Sequence, residues 1–319
     1  MTTPLLQMRI RSITQEADAI FSFELRAADG AALPAFAAGA HVSVLLAGGV
    51  ERSYSLVNRQ EERHRYVIAV QRDPGGRGGS LALCDKARPG DLIQVRPPLN
   101  NFDLAEAAGE SVFVAGGIGI TPLWSMIQRL DALGRRWRLY YAARRRSEAA
   151  FVDEIESLAS RDPDCLSFAF RTGAETPRLD LAAIVATLES GAHIYCCGPV
   201  PMLEGFAAAT EALPSERVHA EYFAPTGGAA EGGFYVELAR DGRTLFIPED
   251  KTILDVLIEE GIPVPHSCKQ GLCGACETPV LAGTPDHRDV VLSARQKAAG
   301  KSMMICRSGC IGGKLVLDM

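Results

Sequence analysis

The sequence predicts a multidomain protein with an antiparallel β-barrel, an α/β domain built on a parallel sheet, and a small α+β domain at the C-terminus. Three observations support this prediction. Short segments of alternating polarity fill the first third, strand-like and helix-like segments then alternate, and a glycine-rich run precedes a cysteine-rich region. We expect the barrel at 1–103, the α/β domain at 104–224, a linker at 225–232 and the last domain at 233–319.

The composition is that of an ordinary globular protein. The chain has 319 residues, of which 33 are basic and 39 acidic, and the net charge of −6 does not favour a nucleic-acid partner. Charged residues interrupt the N-terminus, and the apolar stretch 112–124 is too short and glycine-rich to span a bilayer. The sequence therefore predicts a cytoplasmic protein without membrane contact, in which thiols stay reduced.

The barrel prediction depends on six segments with the period of a half-buried strand. In order they are LQMRIRSI, IFSFELRA, HVSVLLA, RSYSLV, RYVIAVQ and LIQVR. Glycine, proline and charged turns separate them, which is typical of a small antiparallel barrel. A short helix is expected to begin at Gly78-Gly79-Ser80.

The middle of the chain repeats a strand-then-helix pattern, which predicts βαβ units and a parallel sheet. The strand segments are SVFVAG, WRLYYAA, LSFAF, HIYCCG and RVHAEYF. Beyond the run PTGGAAEGG, the segment FYVELARDGRTLFIPE predicts a hairpin and TILDVLIEEG predicts an amphipathic helix. A strand is expected at the C-terminus.

Four of the nine cysteines have a spacing that predicts a metal site. Cys268, Cys273 and Cys276 follow the pattern C-x4-C-x2-C, and Cys306 lies 29 intervening residues further on. This is the plant-type spacing of a 2Fe-2S cluster. A structural zinc site is the alternative, although zinc sites favour two paired knuckles. Cys310 competes with Cys306 as the fourth ligand, and Cys306 is favoured because Met303-Met304-Ile305 predicts a strand that delivers it to the core.

With CKQGLCGAC and MMICRSGC, the last domain resembles a plant-type ferredoxin. The order barrel, nucleotide domain, ferredoxin resembles the phthalate dioxygenase reductase and vanillate demethylase reductase family, over nearly the entire chain. The resemblance implies a flavin-binding β-barrel, an NAD(P)H-binding α/β domain and a ferredoxin-like β-grasp domain.

The segment Arg52-Ser53-Tyr54-Ser55-Leu56 offers a cation, an aromatic ring and hydroxyls on a barrel strand. A flavin mononucleotide needs such groups for its phosphate, its ring face and its ring edge. The family carries R-x-Y-S at the flavin, which implies that Arg52, Tyr54, Ser55 and Leu56 bind it.

A glycine-rich loop that opens a helix suits an anion. By analogy with the family, Gly78, Gly79 and Ser80 hold the flavin phosphate together with Arg52. The loop is short, without an added segment for an adenosine half, which favours FMN over FAD.

The pattern GGxGxTP follows a predicted strand and opens a helix. It departs from the common Rossmann fingerprint GxGxxG but matches the pyridine-nucleotide loop of ferredoxin-reductase-like proteins. The predicted nucleotide-binding residues are Gly116, Gly117, Gly119, Thr121 and Pro122.

Cys197-Gly198-Pro199 ends the HIYCC strand, a position where α/β sheets bind ligands. The resemblance implies that this turn borders the nicotinamide. It also implies that the ring of Phe223 covers the flavin, with Tyr222 as the competing residue. Ser55, Cys197 and Phe223 are thus the candidate catalytic residues.

Nucleotide preference has two opposing indications. The resemblance implies NADH, whereas the second strand leads into Arg144-Arg145-Arg146, where an acid would be expected to bind the ribose of NADH. Arg144 is therefore a candidate cofactor-binding residue, NADH is the predicted donor, and NADPH stays open.

These features predict an NADH-dependent reductase that passes electrons through FMN and a 2Fe-2S cluster to a partner. By resemblance the partner is a terminal oxygenase, of the Rieske non-haem iron type, acting on an aromatic acid or its ether. The alternatives are a redox-sensing or electron-storage module and a flavin reductase that supplies another monooxygenase. A monomer is expected, because an electron shuttle docks transiently.

Overall fold

The structure is a computed structural model that describes residues 4–46, 50–76, 78–170, 179–224, 228–292 and 294–319. The chain divides into two compact units, Met1–Glu221 and Tyr222–Met319. The first unit holds an antiparallel and a parallel sheet, and the second holds a mixed sheet. Among the described residues, no helix is long and apolar enough to cross a lipid bilayer.

The antiparallel sheet has six strands, as predicted, in the order β4-β3-β6-β1-β2-β5. The strands are β1 (Leu6–Ala17), β2 (Ile20–Ala27), β3 (His41–Leu46), β4 (Val50–Ser55), β5 (Tyr66–Gln71) and β6 (Leu92–Val95). A bridge between Leu56 and Ile68 joins the chain after edge strand β4 to edge strand β5, which closes the sheet into a barrel. Alternate residues of the strands face a core that includes Ile10, Phe23 and Tyr66.

A short helix follows β5 at the predicted place. Helix α1 (Gly79–Leu81) continues as a wider π-helical turn, Ala82–Lys86. Gly78 precedes it with a φ of 81°, in the left-handed region that favours glycine.

The parallel sheet has the strand order β11-β10-β7-β8-β9. The strands are β7 (Glu110–Gly116), β8 (Arg136–Ala143), β9 (Leu166–Phe170), β10 (His193–Cys197) and β11 (Val218–Glu221). The helices are α2 (Ile120–Ala132), α3 (Val152–Ala159), α4 (Leu181–Ala186) and α5 (Val200–Ala209). Because β8 and β9 lie on one side of β7, and β10 and β11 on the other, the strand order reverses between β7 and β10.

Buried hydrogen bonds tie the barrel to the parallel sheet within the first unit. The Gly39 amide donates to Ser125 Oγ at 3.0 Å, and Gln128 Nε2 donates to the Val57 carbonyl at 2.8 Å. A side chain at position 39 would meet the Phe102 carbonyl oxygen at 2.1 Å, so glycine is required at this close approach. Helix α2 is therefore packed directly against the barrel.

Two histidines form a partly buried pair on neighbouring strands β10 and β11. His193 Nδ1 and His219 Nε2 lie 3.0 Å apart, and the His219 ring stacks on Tyr195 with centroids 4.3 Å apart. Burial, followed by the nearby His193, lowers the pKa of His219 from 6.5 to about 4. The folded protein thus keeps His219 neutral at pH values where the unfolded chain binds a proton.

This pair predicts a loss of stability in mild acid. The contribution of His219 is fully present above pH 6.5 and is lost as the pH falls towards 4, by about 1–2 kcal/mol after allowance for solvent around the ring. His219→Phe keeps an aromatic ring on Tyr195 and removes the titration. Urea unfolding at pH 7.5 and pH 5 is expected to show a smaller pH effect in this variant. The exposed His64→Gln is the control, and equal pH effects in all three proteins would refute the assignment.

The second unit contains a mixed sheet in the order β13-β12-β16-β14-β15. The elements are β12 (Phe234–Leu238), β13 (Thr244–Ile247), α6 (Ile253–Glu259), β14 (Glu277–Asp286), α7 (Ala294–Ala299), β15 (Ser302–Met304) and β16 (Gly309–Leu317). The predicted hairpin is β12 and β13, and β12 pairs in parallel with β16. Helix α6 begins with a capping box between Thr252 and Asp255.

Two elements of this unit are absent from the sequence prediction, strand β14 and helix α7. The predicted strand at Met303-Met304-Ile305 is observed as β15, which ends at Met304, and Ile305 lies in the following turn. Residues 225–227 of the predicted linker lie outside the described residues. Further along, the Ala230 amide donates to the Arg307 carbonyl at 2.9 Å, so this part of the run is bound to the second unit.

Candidate functional site

Two glycine-containing turns meet at the carboxyl ends of β7 and β10, where the strand order reverses. An added Cβ at Gly119 would lie 2.1 Å from the Cys197 carbonyl oxygen, and one at Gly116 would lie 2.6 Å from Pro199 Cδ. Gly198 approaches Gly116 in the same way. Such a crevice, at a topological switch point, is where open α/β sheets bind ligands.

The loop after β7 is held in shape by neighbouring side chains. The Tyr141 hydroxyl donates to the Gly117 carbonyl at 3.2 Å and accepts from the Ala150 amide at 3.1 Å. Thr121 Oγ1 donates to the Ile118 carbonyl at 2.9 Å, and Pro122 lies in the first turn of α2. Gly117 has a φ of 54°, which turns the chain from strand to helix. The predicted nucleotide-binding residues therefore lie in one pre-formed loop.

On the barrel, the structure places Arg52 against the start of α1. An added Cβ at Gly79 would lie 2.7 Å from Arg52 Cγ and 2.9 Å from Arg52 Nε. Ser80 Oγ accepts from the Asp73 amide at 3.1 Å. A cation and the first amides of a helix thus lie side by side, which suits a phosphate group.

The remaining predicted flavin residues follow Arg52 along β4. Tyr54 is on the same side of the strand as Arg52, because side chains alternate, and burial raises the pKa of its hydroxyl to about 12. Ser55 and Leu56 are buried, with 4% and 0% of their surfaces exposed. Tyr54 therefore stays a neutral aromatic group at physiological pH.

The structure adds Glu221 as a candidate site residue, which no sequence motif marks. Glu221 is the register partner of Cys197 on β11, and its Oε2 atom is buried with no hydrogen-bond partner among the described residues. Burial raises the pKa of Glu221 to about 8, and burial followed by Glu221 raises the pKa of the Cys197 thiol well above its usual value. At neutral pH the crevice thus holds a thiol and a protonated carboxyl side by side.

Three predicted site residues lie just after strands of the parallel sheet and not within them. Phe223 follows β11 at the start of the second unit with 41% of its surface exposed, and Tyr222 is half-buried. Arg144 follows β8 and is exposed, and no ion pair is formed by it among the described residues. Arg146 is paired with Glu156 at 2.6 Å.

In the second unit the four predicted cysteines come together as a chain of sulfur contacts. Hydrogen bonds from Cys273, and then from Cys306, hold the pKa of Cys268 far below its usual range. Cys276 in turn contacts Cys306 and has a lowered pKa for that reason. Among the described residues, no three metal-binding side chains converge on a single point. The four thiols supply the number of ligands that a 2Fe-2S cluster takes.

Backbone amides point at these sulfurs. The Gln270 and Leu272 amides donate to Cys268 Sγ at 3.3 and 3.4 Å, and the Gly271 amide donates to Cys306 Sγ at 3.2 Å. Gly271 has a φ of 70°, and an added Cβ there would lie 2.9 Å from Arg307 Cδ. Amide donors to thiolates are a feature of iron–sulfur sites, so the donor set fits a 2Fe-2S cluster.

Cys310 lies in strand β16 opposite Pro285. Among the described residues, its thiol forms no hydrogen bond with any of the four predicted ligand cysteines. Burial raises the pKa of its thiol. The structure therefore favours Cys306 over Cys310 as the fourth candidate ligand.

Comparisons with known proteins match both units. Residues 236–310 match the family model for a 2Fe-2S iron-sulfur cluster binding domain, and residues 113–208 match that for an oxidoreductase NAD-binding domain. The chain is 55% identical to phenoxybenzoate dioxygenase subunit beta of Ectopseudomonas oleovorans, over 98% of this chain and 97% of that protein. It is 47% identical to tetrachlorobenzoquinone reductase of Sphingobium chlorophenolicum, over the full length of both.

A solved structure of phthalate dioxygenase reductase superposes with a TM-score of 0.74 at 40% identity, over 100% of each chain. That protein is described as a modular structure for electron transfer from pyridine nucleotides to a 2Fe-2S centre. The nucleotide crevice and the four thiols define an oxidoreductase that uses a pyridine nucleotide and a 2Fe-2S cluster. This chain belongs to the phthalate dioxygenase reductase family of oxygenase reductases, as its resemblance implied, and the family implies FMN as the flavin.

Proposed function

We propose that this protein takes electrons from NADH and delivers them, through FMN and its 2Fe-2S cluster, to a terminal oxygenase of the Rieske type acting on an aromatic acid or ether. The oxygenase relatives support an oxygenase partner. The Rieske type, a monomeric state and a cytoplasmic location are predictions from the sequence.

When bound, a flavin would supply the chemistry that links two-electron hydride transfer to one-electron release. The chain supplies position and a dry environment. Gly116, Gly117 and Gly119 admit the nucleotide's pyrophosphate, and the turn at Cys197 borders the nicotinamide. Arg52 and the amides of Gly79 and Ser80 bind the flavin phosphate.

Neutral groups flank the place proposed for the nicotinamide. Cys197 stays a thiol and Glu221 stays largely protonated at pH 7, so neither places a full negative charge where hydride leaves and positive charge forms. The Glu221 carboxyl can also hold and release a proton at Oε2. Ser55 and Phe223 are proposed to contact the flavin ring.

The observation that carries the proposal is the presence of two electron-handling sites in one chain: the switch-point crevice and the amide-capped thiols. The test uses NADH as the electron donor and compares two acceptors. Ferricyanide reports on electrons that leave the flavin, and cytochrome c reports on electrons that leave the cluster. Sustained reduction of both, by protein that retains FMN on gel filtration, is expected. Single-turnover behaviour would favour a sensor or storage module, and loss of flavin would favour a flavin reductase.

A second candidate is direct reduction of a quinone, because one full-length relative is named a tetrachlorobenzoquinone reductase. Steady-state assays with tetrachlorobenzoquinone separate the two functions. A kcat/KM for the quinone that exceeds that for cytochrome c, and that survives loss of the cluster, would favour the quinone.

We expect NADH to have the higher kcat/KM and Arg144 to set the residual use of NADPH. A free guanidinium can form a charge-assisted hydrogen bond with the extra phosphate of NADPH. Arg144→Ala should lower kcat/KM for NADPH about tenfold and leave that for NADH within about twofold.

Arg146→Ala is the matched control, because its guanidinium is already held by Glu156 and Asp153. Steady-state kinetics with both nucleotides check the prediction. Equal decreases in kcat/KM for NADH and NADPH in Arg144→Ala would show that this residue does not bind the extra phosphate of NADPH.

A further inference from the structure

The segment 287–292 lies between the two parts of the chain that carry the cysteines. An added Cβ at Gly271 would lie 3.2 Å from Asp289 Cα, and the Val290 amide donates to the Gly271 carbonyl at 3.2 Å. On the other side, Arg307 Nε donates to the Arg288 carbonyl at 3.2 Å. The segment thus contacts both the three-cysteine loop and the turn that contains Cys306.

Asp289 is the buried centre of this segment. Its side chain is fully buried, and Oδ2 accepts from the amides of Val291 at 3.1 Å and Leu292 at 2.8 Å. Oδ1 accepts from Ser308 Oγ at 3.2 Å, and Ser308 Oγ accepts from the Arg288 amide at 3.1 Å. Since Ser308 is two residues beyond Cys306, the carboxylate holds the Cys306 turn to the segment that abuts Gly271.

Two basic side chains approach the Asp289 carboxylate, and both lie beyond hydrogen-bond distance of its oxygens. Lys297 Nζ lies 4.0 Å from Oδ2, and His287 Nδ1 lies 3.6 Å from Oδ1. Both ring nitrogens of His287 are buried without a hydrogen-bond partner among the described residues. A buried carboxylate beside a redox centre disfavours an added electron, because the charges repel in a medium of low dielectric constant.

We propose that Asp289 is a positioning residue that holds the Gly271 amide on Cys306 Sγ and sets the reduction potential of the 2Fe-2S cluster. The inference rests on the proposed function, which supplies the cluster. Reduction adds one electron and breaks no bond. Asp289 has two effects of opposite sign on the cluster. Its negative charge disfavours the reduced cluster, whereas the hydrogen bond from the Gly271 amide to Cys306 Sγ, which Asp289 helps to hold, stabilises the reduced cluster.

The test measures the cluster midpoint by dithionite titration with redox mediators, followed by electron paramagnetic resonance. Asp289→Asn keeps the shape and removes the charge. We expect the ratio of reduced to oxidised cluster at a fixed potential to rise about tenfold, a midpoint about 59 mV higher for a one-electron couple. Asp286→Asn is the control, because it removes the same charge at the end of β14, directly before the segment, from a carboxylate that is paired with Arg288. It should change the ratio less than about twofold.

Ser308→Ala tests the same residue if Asp289→Asn does not retain the cluster. It keeps the Asp289 carboxylate and removes the Ser308 hydroxyl that links this carboxylate to the Cys306 turn. The hydrogen bond from the Gly271 amide to Cys306 Sγ is therefore expected to weaken. We expect the ratio to fall about threefold, with shifted g values. An unchanged midpoint in a cluster-loaded Asp289→Asn would overturn the proposal. If only Ser308→Ala retains the cluster, an unchanged midpoint and unchanged g values in that variant would overturn the proposal. A wild type without a cluster would instead refute the proposed function.

Discussion

Gly119→Ala is expected to lower kcat/KM for flavin reduction by NADH at least about a hundredfold, while flavin and cluster stay bound. The added methyl group would lie 2.1 Å from the carbonyl oxygen and 2.4 Å from the carbonyl carbon of Cys197. Both atoms belong to the backbone at the end of a central strand, so the loop itself must move. A shift of about 1 Å in such a site costs about a hundredfold in rate.

Anaerobic stopped-flow absorbance measures this prediction, and dithionite reduction shows that both cofactors are present. Gly109→Ala is the control, because an added Cβ there meets no atom within 4 Å and the backbone has no positive φ. Wild-type rates in Gly119→Ala would contradict the proposed place of the nucleotide.

Cys273→Ser is expected to abolish electron delivery without slowing flavin reduction. Serine oxygen replaces one of four thiols in the sulfur chain, so the cluster should be lost or disabled. NADH should still reduce the flavin within about twofold of the wild-type rate, because the crevice is in the other unit. Reduction of cytochrome c should fall at least about a hundredfold.

Cys310→Ser is the matched control for this variant. It changes a thiol of the same unit that lies in β16, outside the sulfur chain. Iron content and visible absorbance of both variants are the measurements. Loss of the cluster in Cys310→Ser, with retention in Cys306→Ser, would show that the fourth ligand has been misassigned.

Local patterns were sufficient for much of the fold. The barrel strands show alternating burial, as in β1, where Met8 and Ile10 are buried and Arg9 and Arg11 are exposed. The cysteine spacing needs no knowledge of the fold, because cluster geometry dictates it. The nucleotide loop is equally local, since one strand, one turn and one helix form it.

The missed strand β14 shows where local patterns fail. Pro279, Gly283 and Pro285 interrupt it, and its pairing with β16 shifts register on both sides of Ala282. These irregularities destroy the period of two on which strand prediction depends. Helix α7 was missed because six residues are too few to show a helical period.

Long-range pairing also hid two functional residues. Glu221 gains meaning only from its register with Cys197, which the sequence does not contain. Asp289 has no distinguishing pattern in the sequence, and its proposed role depends on contacts with Gly271 and Ser308 at distant positions. A buried carboxyl among turn residues carries no periodic signal.

An anaerobic absorbance titration of the purified protein with NADH, repeated with NADPH, tests the proposed electron path from nucleotide to cluster. NADH is expected to bleach both the flavin and the iron–sulfur bands, with completion at about 1.5 equivalents per chain for a two-electron flavin and a one-electron cluster. Bleaching of a flavin band alone, in protein whose metal analysis shows zinc and no iron, would contradict the proposed path.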